Sequence, residues 1–189
     1  MAEVRAGNAA ANGGGEETLE LIAEARRQGD REMSRAIKLI LAVAVPLAVG
    51  GLSGFATSRG VDTWYPTLIK PSFNPPAWVF GPTWTVLYIL MGVALVLVWR
   101  QGLGKPGVRL ALALFAVQLV LNALWSILFF GLQSPEWAFA EIILLWLAIV
   151  ATLWAFRSVT PAAGWFLVPY LAWVSFAAVL NGSIWILNR

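Results

Sequence analysis

From residue 37 onward, apolar side chains come in long runs separated by short polar breaks, the pattern of segments surrounded by lipid. Five runs, over residues 37–57, 79–99, 108–130, 137–156 and 162–187, each hold about the 20 apolar residues needed to cross a ~30 Å hydrocarbon layer. Lipid offers backbone polar groups no partners, so these runs must be α-helices. The breaks at 100–107, 131–136 and 157–161 are short, which makes successive helices antiparallel neighbours. Pro46 and Pro169 fall inside two of the runs and predict kinks.

One break differs. Residues 58–78, SRGVDTWYPTLIKPSFNPPAW, contain four prolines and, besides Trp78, three aromatics. A stiff aromatic stretch of this length reads as a folded lid, the alternative being a loop without fixed structure. The expected fold is therefore an all-α membrane protein, a five-transmembrane-helix bundle with a long ordered loop between helices 1 and 2.

The first 35 residues form a separate region ahead of the membrane domain at 36–189. Residues 1–15 are rich in Gly, Ala and Asn without apolar periodicity, as in a disordered tail, whereas 16–35 place Leu19, Ile22 and Ala23 on one face of a short solvated helix. Acids at Glu3, Glu16, Glu17, Glu20, Glu24, Asp30 and Glu32 argue against a transit peptide. The first apolar run starts late and is long enough to span, which argues against a cleaved signal peptide.

Composition sharpens this picture. The chain is 59% hydrophobic and 12% charged, about half the charge of an ordinary soluble domain. It has no Cys and no His, which excludes a disulfide framework, a Cys/His zinc site, a His-activated nucleophile and haem held through imidazole or thiolate. No metal and no resident cofactor are expected. The sequence pI is near 9.7, yet the net charge is only +3 and the bases are scattered, so nucleic acid is not expected as a partner. Ten bases flank the N-terminal side of the membrane and three (Arg59, Lys70, Arg189) the lid side, so the positive-inside rule puts the N-terminus in the cytoplasm.

Eleven tryptophans stand out. Trp64 lies in the lid; Trp78, Trp99, Trp137, Trp154, Trp165 and Trp185 sit near span ends, where indoles anchor to headgroups. Trp84, Trp125, Trp146 and Trp173 lie deeper and either line a cavity or pack helix against helix. Gln118, Asn122, Trp125 and Ser126 share one helical face, as do Tyr170, Trp173, Ala177 and Asn181. Two such stripes under an aromatic lid make a mostly apolar pocket with a few polar fixing points, or else serve as interhelical hydrogen bonds of ~1 kcal/mol each. Glu141, a lone acid, is expected to snorkel to the interface or pair with a polar neighbour. Gly50 and Gly54 form a GxxxG step suited to close helix packing.

Three blocks, WYPTLIKPSFNPPAWVFGPTWTVLYILMG (64–92), QLVLNALWSILFFG (118–131) and PYLAWVSFAAVLN (169–181), occur in the order found in the translocator protein family, the tryptophan-rich sensory proteins (TspO/MBR) also called peripheral-type benzodiazepine receptors, and the chain resembles that family over about residues 45–188. The resemblance implies a five-helix bundle whose first loop covers a pocket, commonly as a homodimer in membrane lipid. It implies a porphyrin or haem-type ligand that is sensed, sequestered or transported, with links to stress response and tetrapyrrole homeostasis. Carried over residue by residue, the ligand site comprises Trp64, Tyr65, Pro75, Phe80, Trp84, Tyr88, Asn122, Trp125, Trp173 and Ala177.

Two alternatives come with the same resemblance. Trp84 and Trp173 match positions that bacterial members link to light-dependent porphyrin breakdown, a photosensitised oxidation in which the protein would supply no acid, base or metal. Sterol or lipid transport is the other. Against it, the aligned positions of the vertebrate sterol motif are Gly182 and Ile186 in place of Tyr and Arg; an inverted pattern, Arg109, Phe115, Leu119, occurs on helix 3. The N-terminal region is similar in composition to the extensions of plant-type members. Relatives place the fold in bacterial inner or outer, mitochondrial outer, or ER/Golgi membranes. The mitochondrial ones face their lid to the cytosol, opposite to the charge count, so orientation stays open.

Overall fold

The computed structural model describes Glu24, Arg26, Ile37 and residues 40–189. Apart from Glu24 and Arg26, which are helical, the tail and short helix expected over residues 1–35 lie outside the described residues. No strand occurs among the described residues. Among the described residues, five helices are long and apolar enough to cross a membrane: α1, Ile40–Thr67; α2, Ala77–Trp99; α3, Val108–Gly131; α4, Pro135–Val159; and α5, Pro161–Leu187.

The first helix departs from the sequence reading. Its helical structure runs ten residues past Thr57, through a wide π turn at Gly60–Trp64 and a 3-10 turn at Tyr65–Thr67, and stops where Leu68 becomes extended. The polar residues that looked like breakers satisfy themselves on their own helix. The hydroxyls of Thr57, Ser58 and Thr63 donate to the carbonyls of Ser53, Phe55 and Arg59 at 2.8, 2.9 and 2.6 Å. The stretch outside helices shrinks to residues 68–76. The last turn of α3, Ile127–Gly131, is also a π turn. Helices α4 and α5 both open on proline, at Pro135 and Pro161, where a missing N–H costs nothing. The chain remains helical through Pro46 and Pro169.

Helix α4 packs along both α3 and α5, and α2 closes against α5 and α3. The core between them includes Met91, Phe115, Ile142, Leu145, Ile149, Phe156, Leu167 and Tyr170, with the Phe115 and Phe156 rings stacked 5.6 Å apart. Lipid provides no hydrophobic push between helices, so close contact depends on small residues. Gly92 of α2 shows this: a Cβ there would lie 2.7 Å from the Cα of Val43, so α1 and α2 touch backbone to backbone. Trp78, Trp137, Trp154 and Trp165 are exposed on the outer surface, as span-end anchors must be.

Candidate ligand-binding site

A second cluster, built on Phe129, Ala138, Leu180 and Ile184, sits at the lid end of the bundle. Beside it lies a chamber of about 730 Å³, within the range of small-molecule sites. Its wall is mostly apolar, and α2 and α3 each turn an aromatic stripe inward, joined by Trp173 of α5. Trp84 stacks on Tyr88 at 5.5 Å, Phe80 meets Trp173 edge-on at 5.9 Å, and Trp125 stacks on Phe129 at 5.3 Å. Tyr65 and Pro66, in the 3-10 turn that ends α1, form part of the lining.

Polar groups hold these rings in place. Tyr88 donates its hydroxyl to Asn122 Oδ1 at 2.8 Å, and Asn122 Nδ2 donates to the Tyr170 hydroxyl at 3.1 Å, a buried chain joining α2, α3 and α5. Trp125 Nε1 donates to Asn181 Oδ1 at 3.0 Å, and Asn181 Nδ2 donates to the Pro135 carbonyl at 2.8 Å. Gly50 lets α1 approach the Tyr88 ring, which a Cβ would overlap.

Of the ten residues taken from the sequence, Tyr65, Phe80, Trp84, Tyr88, Trp125, Trp173 and Ala177 line the chamber. Trp64, Pro75 and Asn122 do not. Trp64 packs edge-on against Phe129 at 5.6 Å, Asn122 sits behind Tyr88 as its hydrogen-bond partner, and Pro75 accepts from Asn74 Nδ2 within the connection. Trp146 is not in the wall either; its indole donates to Ser175 Oγ at 2.8 Å. Sequence reasoning missed Gly51, Asp62, Phe130 and Leu180, which line the chamber. For Phe130 the signal was available in its place one turn past the polar stripe of α3.

Two further expectations need correcting. Glu141 neither snorkels nor pairs: it is 5% exposed, and both its oxygens lack a hydrogen-bond partner among the described residues. The Gly50–Gly54 step packs only at Gly50. A Cβ at Gly51, Gly54 or, on α2, Gly81 would meet nothing within 4 Å, and all three glycines line the chamber.

The connection over residues 68–76 is pinned to the end of α5. Asn188 accepts from the Ile69 N–H and donates back to the Ile69 carbonyl, both at 2.9 Å, so its amide imitates a neighbouring strand. Beside this clamp, Tyr65 donates to Asn74 Oδ1 at 2.8 Å, and Phe73 meets Phe176 of α5 at 6.3 Å. Asn188→Ala removes both hydrogen bonds to Ile69 and a third to the Ile184 carbonyl; with each contributing about 0.5–1.5 kcal/mol, the Ile69 amide is expected to exchange with deuterium about tenfold faster. Unaltered exchange at Ile69 would mean that the clamp does not hold the connection.

Comparison with known proteins agrees with this architecture. Residues 42–186 match the family model described as the TspO/MBR family. The chain is 47% identical over 152 residues to the tryptophan-rich protein TspO of Chlorobaculum tepidum, covering 80% of this chain and 96% of that one. It is 43% identical over 152 residues to the Archaeoglobus fulgidus protein of the same name, covering 80% and 97%. To the human translocator protein it is 41% identical over 135 residues, covering 70% and 79%.

Proposed function

The chain belongs to the TspO/MBR family of membrane proteins, and from that premise we propose that it binds a porphyrin-type tetrapyrrole in the chamber at the lid end, to sense, sequester or move it. The observation that carries this reading is the chamber itself: about 730 Å³ of apolar space walled by Trp84, Trp125 and Trp173. A flat aromatic macrocycle gains most from such a wall, by offset or edge-on contact with indoles.

Titration with protoporphyrin IX in detergent is expected to quench tryptophan fluorescence saturably. Replacing both Trp84 and Trp173 by Phe keeps the rings but removes two indoles, and is expected to weaken apparent affinity by about tenfold. A titration unchanged by the double substitution would count against these walls. Because Trp84 and Trp173 both stand in the chamber, the light-dependent reading is tested in the same samples. Illuminated porphyrin that disappears faster with protein than in protein-free micelles, and no longer does so in the double variant, would assign degradation as well as binding.

A further inference from the structure

The end of the bundle opposite the lid carries one sign of charge. Within residues 41–189, the bases Arg100, Lys105, Arg109 and Arg157 stand there, all exposed, and no acid joins them. Of the acids in this stretch, Asp62 and Glu136 belong to the lid end and Glu141 is enclosed in the bundle. The two connections that bear the bases are fastened together. Lys105 Nζ reaches from the α2–α3 connection to donate to the Val159 carbonyl at the end of α4, at 3.0 Å. Arg109 Nε donates to the Leu103 carbonyl at 3.2 Å, which folds its side chain back over the same connection. The charges are thus held near one another on anchored backbone, where like-charge repulsion is relieved by an anion.

The depth of this surface identifies the anion. Trp154 and Trp165 are 66% and 62% exposed, indoles placed where lipid chains meet headgroups. Trp154 precedes Arg157 by three residues on α4, so the two are neighbours on the helix surface. The Arg157 guanidinium lies 5.3 Å from the centre of the Trp165 ring. Gly164 permits this seating, since a Cβ there would lie 2.9 Å from Arg157 Cβ. Arg157 is therefore held at headgroup height, and its side chain makes no hydrogen bond among the described residues. An open guanidinium fork takes a phosphate through two parallel hydrogen bonds. A zwitterionic lipid brings its own cation to such a surface, whereas an anionic one does not, and each base at an anionic surface strengthens attraction by about fivefold.

We propose that the end of the bundle opposite the lid binds anionic phospholipid, with Arg157 on its Trp165 platform taking the headgroup phosphate and Arg100, Lys105 and Arg109 supplying further attraction. The surface lies at the other end of the molecule from the chamber, and the proposal stands whatever the chamber binds.

The test is native mass spectrometry of the full chain in detergent, titrated with phosphatidylglycerol or with phosphatidylcholine of matched acyl chains. The first phosphatidylglycerol is expected to bind at least about fivefold tighter than the first phosphatidylcholine. Arg157→Gln is expected to shrink that ratio by at least about threefold, and Arg100→Gln combined with Arg109→Gln to shrink it as well. Arg59→Gln, at the lid end, is expected to leave it unchanged. Equal affinity for the two lipids overturns the proposal, as does a ratio that Arg157→Gln does not move or that Arg59→Gln lowers as much. Glycerol 3-phosphate supplies the phosphate without acyl chains; if it displaces phosphatidylglycerol at equal concentration, the surface is a site for soluble phosphates and the lipid assignment falls.

Discussion

Ala177→Trp is expected to abolish most protoporphyrin binding while leaving the five-helix fold intact. Ala177 lies on α5 one turn after Trp173 and one turn before Asn181, and all three line the chamber. An indole placed there enters space that the chamber already provides, so the overpacking cost of forcing a large ring into a filled core is largely avoided. The same indole takes the volume a macrocycle would use. Displacing about 100 Å² of apolar ligand contact at about 25 cal/mol per Å² costs about 2.5 kcal/mol, near a hundredfold in affinity. Fluorescence titration reads the loss, and an unchanged thermal midpoint in detergent shows that the bundle survived. Binding at wild-type strength in a folded Ala177→Trp protein would move the ligand out of this chamber altogether.

Gly60→Ala, the addition of one methyl group, is expected to destabilise the protein by about 2–3 kcal/mol, read as a lowered midpoint of thermal unfolding. Gly60 is buried at the start of the π turn of α1, and a Cβ built there would overlap the carbonyl of Phe130. Both partners are backbone, so no rotamer change relieves the clash and one helix end must move. The rings that hang from this junction move with it: Tyr65 meets Phe130 edge-on at 5.6 Å, and Trp64 meets Phe129 at 5.6 Å. Porphyrin affinity is therefore expected to fall along with stability. Gly54→Ala is the matched control, since a Cβ there meets nothing within 4 Å and alanine is the better helix former. Equal midpoints for the two variants would show that the α1–α3 junction yields easily.

What was legible in the sequence was whatever the bilayer dictates. Lipid forces every long apolar run to be a helix, so the five crossings follow from run length alone, and depth along a run separates Trp84, Trp125 and Trp173 from the exposed Trp78, Trp137, Trp154 and Trp165. Depth does not give direction. Trp146 is as deep as the others, yet it turns to Ser175 because a polar residue on α5 faces it there. Asn122 is on the right helix face, but Tyr88 stands between it and the chamber.

The end of α1 was misread for a local reason. Ser58, Arg59, Gly60, Asp62 and Thr63 carry loop composition, but serine and threonine hydroxyls can bond back to their own helix, and the π turn at Gly60 answers a tertiary demand, contact with Phe130, that no local pattern encodes. Glu141 was misread for the opposite reason. Only the packing of α4 between α3 and α5 decides that a carboxyl so near a helix start is enclosed.

The uneven seating of α1 has a mechanical consequence. In its most apolar stretch 17% of residues are buried, against 39% for α2, and its close approaches to the bundle include Val43 on Gly92 and Gly50 on the Tyr88 ring. Under tension applied ahead of residue 40, α1 should peel from the other four as a first, low-force step in a single-molecule extension trace. The remaining four helices, braced on α4, would then rupture together at higher load.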